Sequence, residues 1–121
     1  MPIAKPKRQK KQRLDLSRED ISRLDHILKS NALEDRSSAC KFAIHRLYES
    51  VRKMIYERLA AKIDQQSESD SVGEVFPWGF VCKSGTREEI DAIKATYSMR
   101  HLSSTIRLAI RVQAAADGWG K

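Results

Sequence analysis

The side chains able to do acid–base, nucleophilic or metal chemistry are few and poorly spaced for it. His26, His45 and His101 lie far apart, with no HxxxH or HExxH arrangement to place two metal ligands on one helix face. Cys40 and Cys82, the only cysteines, form no CxxC pair and no zinc-type spacing, and read as reduced, partly buried thiols. Glu88 and Glu89 are neighbours at a helix start and not a dyad flanking a substrate. Segment 79–86 superficially resembles a phosphate-binding loop, but Lys83 precedes Gly85, where GxxxxGK followed by Ser or Thr is required. No Ser-His-Asp or Cys-His grouping is visible. No catalytic residue, metal site or cofactor is implied, and the expectation is a binding protein rather than an enzyme.

The chemistry the chain does offer is cationic. Residues 1–13 carry Lys5, Lys7, Arg8, Lys10, Lys11 and Arg13 with two prolines and no acid, a composition that cannot bury a core and is expected to be disordered when free. Over 121 residues, 23 Lys and Arg outnumber 16 Asp and Glu, giving a formal charge of +7 and a pI of about 9.6. That balance favours a polyanionic partner, nucleic acid or an anionic membrane surface. No apolar run approaches the roughly 20 residues that cross a bilayer, no apolar signal core follows the basic N-terminus, and the basic amphipathic helix of a membrane-surface protein is missing. A soluble cytoplasmic protein with no membrane partner is therefore expected.

The elements that would position these charges are short. Leu14 and Leu16 alternate with polar neighbours, as in a half-buried strand. Ser17 then caps a first helix with Ile21, Leu24 and Leu28 on one stripe, running to about Ser30. Ser37 or Ser38 caps a second, striped by Ala39, Ala43, Leu47, Val51, Met54 and Ile55 and continuing to about Gln66, so the first unit spans 11–66 after a flexible arm, 1–10. Residues 67–78 read as a linker and 79–117 as a second unit, followed by a tail, 118–121. In that unit 80–84 form a strand, Thr86 caps a helix with Ile90 and Ile93, and Ser103 or Ser104 caps another with Ile106, Ala109, Ile110 and Ala114. Asp117-Gly118 ends it.

The order repeats, and so do residues. Ser37-Ser38-Ala39-Cys40-Lys41-Phe42-Ala43-Ile44 stands against Ser103-Ser104-Thr105-Ile106-Arg107-Leu108-Ala109-Ile110, sharing both serines, a basic position and an Ala-Ile pair. Upstream, Ile21 and Leu24 align with Ile90 and Ile93, which makes the turn between helices three residues shorter in the second copy. Two copies are too few for a solenoid and should pack on each other.

These residues resemble the ribbon-helix-helix family of DNA-binding proteins, in which a basic strand precedes two helices and the second opens with an Arg-Ser or similar pair. Arg36-Ser37 fits that pair, whereas Leu102-Ser103 lacks the arginine. The resemblance covers about 11–48 and, more weakly, 80–114, and tandem units in one chain are similar to certain plasmid-transfer accessory proteins. It implies a mostly α fold with a short two-stranded antiparallel ribbon, expected here as an intrachain pseudo-dimer, with dimerisation of two chains as the other arrangement. It also implies double-stranded DNA as partner, entered by the ribbon through the major groove. An accessory role with a DNA-processing protein on a plasmid or mobile element, as in conjugation, and transcription regulation as a repressor are both consistent with it.

Strand alternation then assigns contacts. With Leu14 and Leu16 inward, Lys11, Arg13 and Asp15 face the groove. Arg13 is the principal base reader, since a guanidinium donates two hydrogen bonds to guanine O6 and N7, while Asp15 accepts from cytosine N4 or orients Arg13. With Phe80 and Cys82 inward, Val81 and Lys83 face out, a slip of one residue reversing that, and Gly85 is a candidate bulge residue; Val81 either meets a thymine methyl or packs in the core. Both first helices carry acids near their starts, Glu19 and Asp20, and Glu88 and Glu89, with Thr86 and Glu89 spaced as a capping box; those ends repel phosphate. The second helices have none there, so Arg36, Ser37, Ser38, Ser103 and Ser104 are expected to clamp backbone phosphates, the serines also serving as caps, with Glu34 and Asp35 weakening the argument at the first of the two starts. Lys5, Lys7, Arg8 and Lys10 of the arm add salt-dependent contacts. The rival reading is a protein-interaction module, such as an antitoxin gripping its partner through the long helix with Tyr48, Met54, Ile55, Tyr56 and Leu59. The first copy has the basic strand and the Arg-Ser pair, and the second, with its weakly basic strand, is expected to complete the ribbon and read fewer bases.

Overall fold

The computed structural model describes residues 11–53 and 75–119. Lys5, Lys7, Arg8 and Lys10 of the arm, the continuation of the second helix towards Gln66 and linker residues 67–74 lie outside the described residues. The described elements run β1 (Lys11–Ser17), α1 (Arg18–Ser30), α2 (Arg36–Lys53), β2 (Val75–Val81), α3 (Ser84–Thr96) and α4 (Leu102–Ala116). The fold is mostly helical, with β1 and β2 forming a two-stranded antiparallel sheet.

Each strand divides its residues between two faces, as the period of two demands. Leu14, Leu16 and Phe80 are buried, while Arg13, Asp15 and Pro77 on the opposite face are exposed. Beneath the ribbon the helices interlock across the two halves of the chain: α1 packs on α4, α3 packs on α2, and α2 lies against α4. Their buried faces, including Leu24, Ile27, Ala43, Ile44, Ile90, Ile93, Ile106 and Ile110, form one continuous core with the inner face of the ribbon. Among the described residues no helix is long and apolar enough to cross a membrane.

Helix ends explain the chain's turns. Ser17 accepts a hydrogen bond from the Asp20 amide at 3.1 Å and starts α1 as expected from its position. At the other end Ala32 turns left-handed (φ 52°) and the Leu33 amide donates to the Leu28 carbonyl at 2.9 Å. The same closure recurs after α3, with Ser98 at φ 52° and the Met99 amide on the Lys94 carbonyl at 2.9 Å. A third ends α4, where Gly118 takes φ 88° and the Trp119 amide reaches the Ala114 carbonyl at 2.9 Å.

The first two closures reveal a constant offset between the halves, which takes Ser30 to Thr96, Ala32 to Ser98 and Ser37 to Ser103. Helices α1 and α3 are each 13 residues long, and the connections 31–35 and 97–101 are equal. The second turn is therefore not shorter, and the alignment of Ile21 and Leu24 with Ile90 and Ile93 is corrected: Leu24 and Ile27 are their counterparts. One helical turn separated the two alignments, and both preserve an apolar stripe.

Other boundaries also differ. Residues 75–78 belong to β2 and not to a linker, and β2 ends at Val81 instead of Ser84. Pro77 is tolerated because a two-stranded ribbon leaves an edge where no N–H need be donated. Gly85 is no bulge; it lies in the first turn of α3, with open space where a Cβ would stand. Lys83, and not Thr86, occupies the cap of α3, so Thr86 and Glu89 form no capping box there, and the first turn holds no acid.

Burial of Cys40 pushes its thiol far above the ordinary range, and the half-buried Cys82 is also raised by burial. A thiolate-selective alkylating reagent at pH 8 is expected to modify Cys82 slowly and spare Cys40 in the native protein, with both labelled after denaturation. Equal native rates by mass spectrometry would contradict the packing of α2.

Candidate nucleic-acid interface

The ribbon pairs Lys11 with Val81, Gln12 with Phe80, Arg13 with Gly79, Leu14 with Trp78 and Asp15 with Pro77. Under the constant offset Arg13 faces its own counterpart, so the Arg13–Gly79 pair is the point about which the offset relates the two strands, and it lies in the middle of the outward-facing pairs 11–81, 13–79 and 15–77. A Cβ on Gly79 would stand 3.2 Å from the Gln12 carbonyl oxygen and 3.5 Å from Arg13 Cγ. Glycine thus leaves room for the arginine stem to lie against the opposite strand. The outward row holds Arg13 and Asp15, both exposed, and the half-buried Val81. Lys11 has the matching backbone position. Lys83 is exposed but lies beyond the strand, at the cap of α3, which removes it from the row.

Beside the ribbon an open groove of about 700 Å³ is lined by Arg13, Asp15, Trp78, Ser103 and Arg107, among others. It brings Ser103 together with the base-reading candidates, because the start of α4 lies by β1. His101 precedes α4 and provides no side-chain cap, and its first turn carries no acid; Ser103 and Ser104 lie within that turn instead of capping it.

At the start of α2 the arrangement is different. Asp35, and not Ser37 or Ser38, provides the cap, its carboxylate accepting from the Ser38 amide at 2.8 Å. That hydrogen bond holds the Asp35 carboxyl below its usual range. Arg36 donates Nε and Nη2 to the two oxygens of Asp25 at 2.8 and 3.0 Å. The hydrogen bond from Arg36 lowers Asp25, against a smaller opposing effect of burial, and Arg36 is raised in turn. An amide already bonded to a carboxylate and an arginine already held in a fork are poorly placed to clamp phosphate. The acids before α2 thus occupy its first turn, and the start of α4 is the more open of the two.

A group that sequence reasoning read only as a helix-start acid turns out to be central. Asp20 is 0% exposed and accepts from Arg23 Nη1 at 2.7 Å, Arg107 Nε at 2.9 Å and Arg111 Nε at 3.3 Å. It does not face phosphate. The signal was its spacing: Asp20 stands four residues before Leu24, on the buried stripe of Arg23, Leu24 and Ile27. Its counterpart by the offset is Thr86. Where α2 and α3 cross, His45 Nδ1 meets Glu89 Oε2 instead.

No protein-family model matches the chain, and no curated protein or solved structure does either.

Proposed function

We propose that this protein binds double-stranded DNA sequence-selectively, its two halves acting as tandem ribbon-helix-helix units paired within one chain. The observation that carries the reading is the outward row of the ribbon, with an exposed arginine at its centre and acid and apolar groups around it. A two-stranded ribbon matches the width of the major groove, and such a row can meet base edges there. The interlocked helices and the constant offset support intrachain pairing. The positive charge supports a polyanionic partner. A DNA-processing accessory role and a repressor role both draw on this binding, and neither requires catalysis.

Because Arg13 faces Gly79 and not a second arginine, the target is expected to be asymmetric. Selection from a random pool should return a non-palindromic site. Arg13→Ala is expected to reduce discrimination among sequences about 10- to 100-fold, the worth of a bidentate base contact. Deleting residues 1–10 should weaken binding to all sequences and flatten the salt dependence. Gel-shift titrations at several salt concentrations measure both. Absence of DNA binding at low salt would sink the reading.

A further inference from the structure

We propose that Arg107 is a phosphate-binding residue on one flank of the ribbon, positioned by the buried carboxylate of Asp20, and that the other flank has no equivalent. This rests on the DNA-binding reading above. Arg107 is one-third exposed (33%) while its anchor is wholly buried. Asp20 cannot turn away, because its oxygens also accept from Arg23 and Arg111 and its amide is bonded to Ser17. The anchor takes the Nε of Arg107. Among the described residues Arg107 has no other hydrogen-bond partner, so its two terminal amino groups remain for a ligand in the planar fork that suits phosphate.

Arg107 also lines the groove that contains Arg13 and Ser103. Asp15 lines it too, leaving two guanidiniums against one carboxylate. A DNA strand following the ribbon would meet Arg13 at the bases and Arg107 at the backbone. Across the pseudo-symmetric centre the offset replaces Arg107 by Lys41, Asp20 by Thr86 and Arg13 by Gly79. A lysine is a mobile point charge where the arginine is a fixed fork. The neighbouring Ser38 amide and Arg36 are already occupied by Asp35 and Asp25. The grip on the backbone is thus one-sided, which sets the direction in which the protein sits on its site.

Salt titrations of DNA binding with Arg107→Gln, Arg107→Lys and Lys41→Gln test this, alongside phosphate-ethylation interference with the unaltered protein. Arg107→Gln is expected to weaken binding several-fold near 0.1 M salt and reduce the log–log salt slope by about 0.9, the share of one phosphate. Arg107→Lys should restore the slope but not the full affinity. Lys41→Gln should change the slope less than Arg107→Gln does, and interference should be stronger on one flank. If Arg107→Gln keeps the parent slope, or interference is equal on both flanks, the proposal is overturned while Arg13→Ala can still uphold DNA reading. If the unaltered protein binds no DNA at low salt, both fall together. The interference arm holds even if a variant fails to fold.

Discussion

Alanine at position 20 is expected to lower the unfolding free energy by about 3–5 kcal/mol, the usual cost of removing one member of a buried ion cluster. The loss comes less from the missing attraction than from what stays behind. Arg23, Arg107 and Arg111 all donate to Asp20, and two of these side chains are about nine-tenths buried. Without the carboxylate their charge remains in a site with little water. The cluster also ties α1 in the first half to α4 in the second, so the damage is not confined to one helix. Urea unfolding followed by circular dichroism measures it. A loss below about 1 kcal/mol would show that water takes over the carboxylate's role, as at an exposed pair.

Phe80→Ala is expected to cost a similar amount, about 3–5 kcal/mol, by leaving a cavity under the ribbon. Phe80 is 1% exposed and stacks on Trp78 with ring centroids 5.6 Å apart. With Leu14 and Leu16 it forms the inner face of a sheet of two strands, which has no stability apart from the helices beneath it. The near-UV signal of Trp78 should be lost with the packing, and DNA binding with the ribbon. Arg13→Ala, on the exposed face, should by contrast stay within about 0.5 kcal/mol of the parent in the same unfolding experiment. Equal destabilisation by the two substitutions would contradict the assignment of faces.

What could be read in advance divides by the range of the forces involved. The alternation at Leu14 and Leu16, the Ser17 cap and the Asp117-Gly118 stop are local, and each appears where its chemistry put it. The phase of β2 was open to a one-residue slip, which the buried Phe80 decides, and its limits were misplaced by assigning 75–78 to a linker, although an open edge permits Pro77 in a strand. The cap of α2 was misplaced by a residue choice between neighbours, where the carboxylate of Asp35 prevailed over two serines. Asp20 obeyed the rule that acids suit a helix start, and this concealed its second role. Its partners Arg107 and Arg111 are far away in sequence, so only the crossing of α1 over α4 brings them together. The candidate row of the ribbon follows from period two, whereas the groove beside it exists only through tertiary packing.

Pairing β1 with β2 has a consequence for synthesis. The strands are separated by about 60 residues, so when β1 leaves the ribosome its partner is several seconds from being made, at roughly 5–20 residues per second. During that interval β1 has two unpaired edges, the condition that invites strand-to-strand aggregation. The sequence there is Lys-Gln-Arg-Leu-Asp-Leu-Ser, preceded by more positive charge. The more apolar strand, Val-Phe-Pro-Trp-Gly-Phe-Val, is made second and meets a waiting partner. The order of the two strands along the chain thus places the charged one where self-association has the longest time to occur.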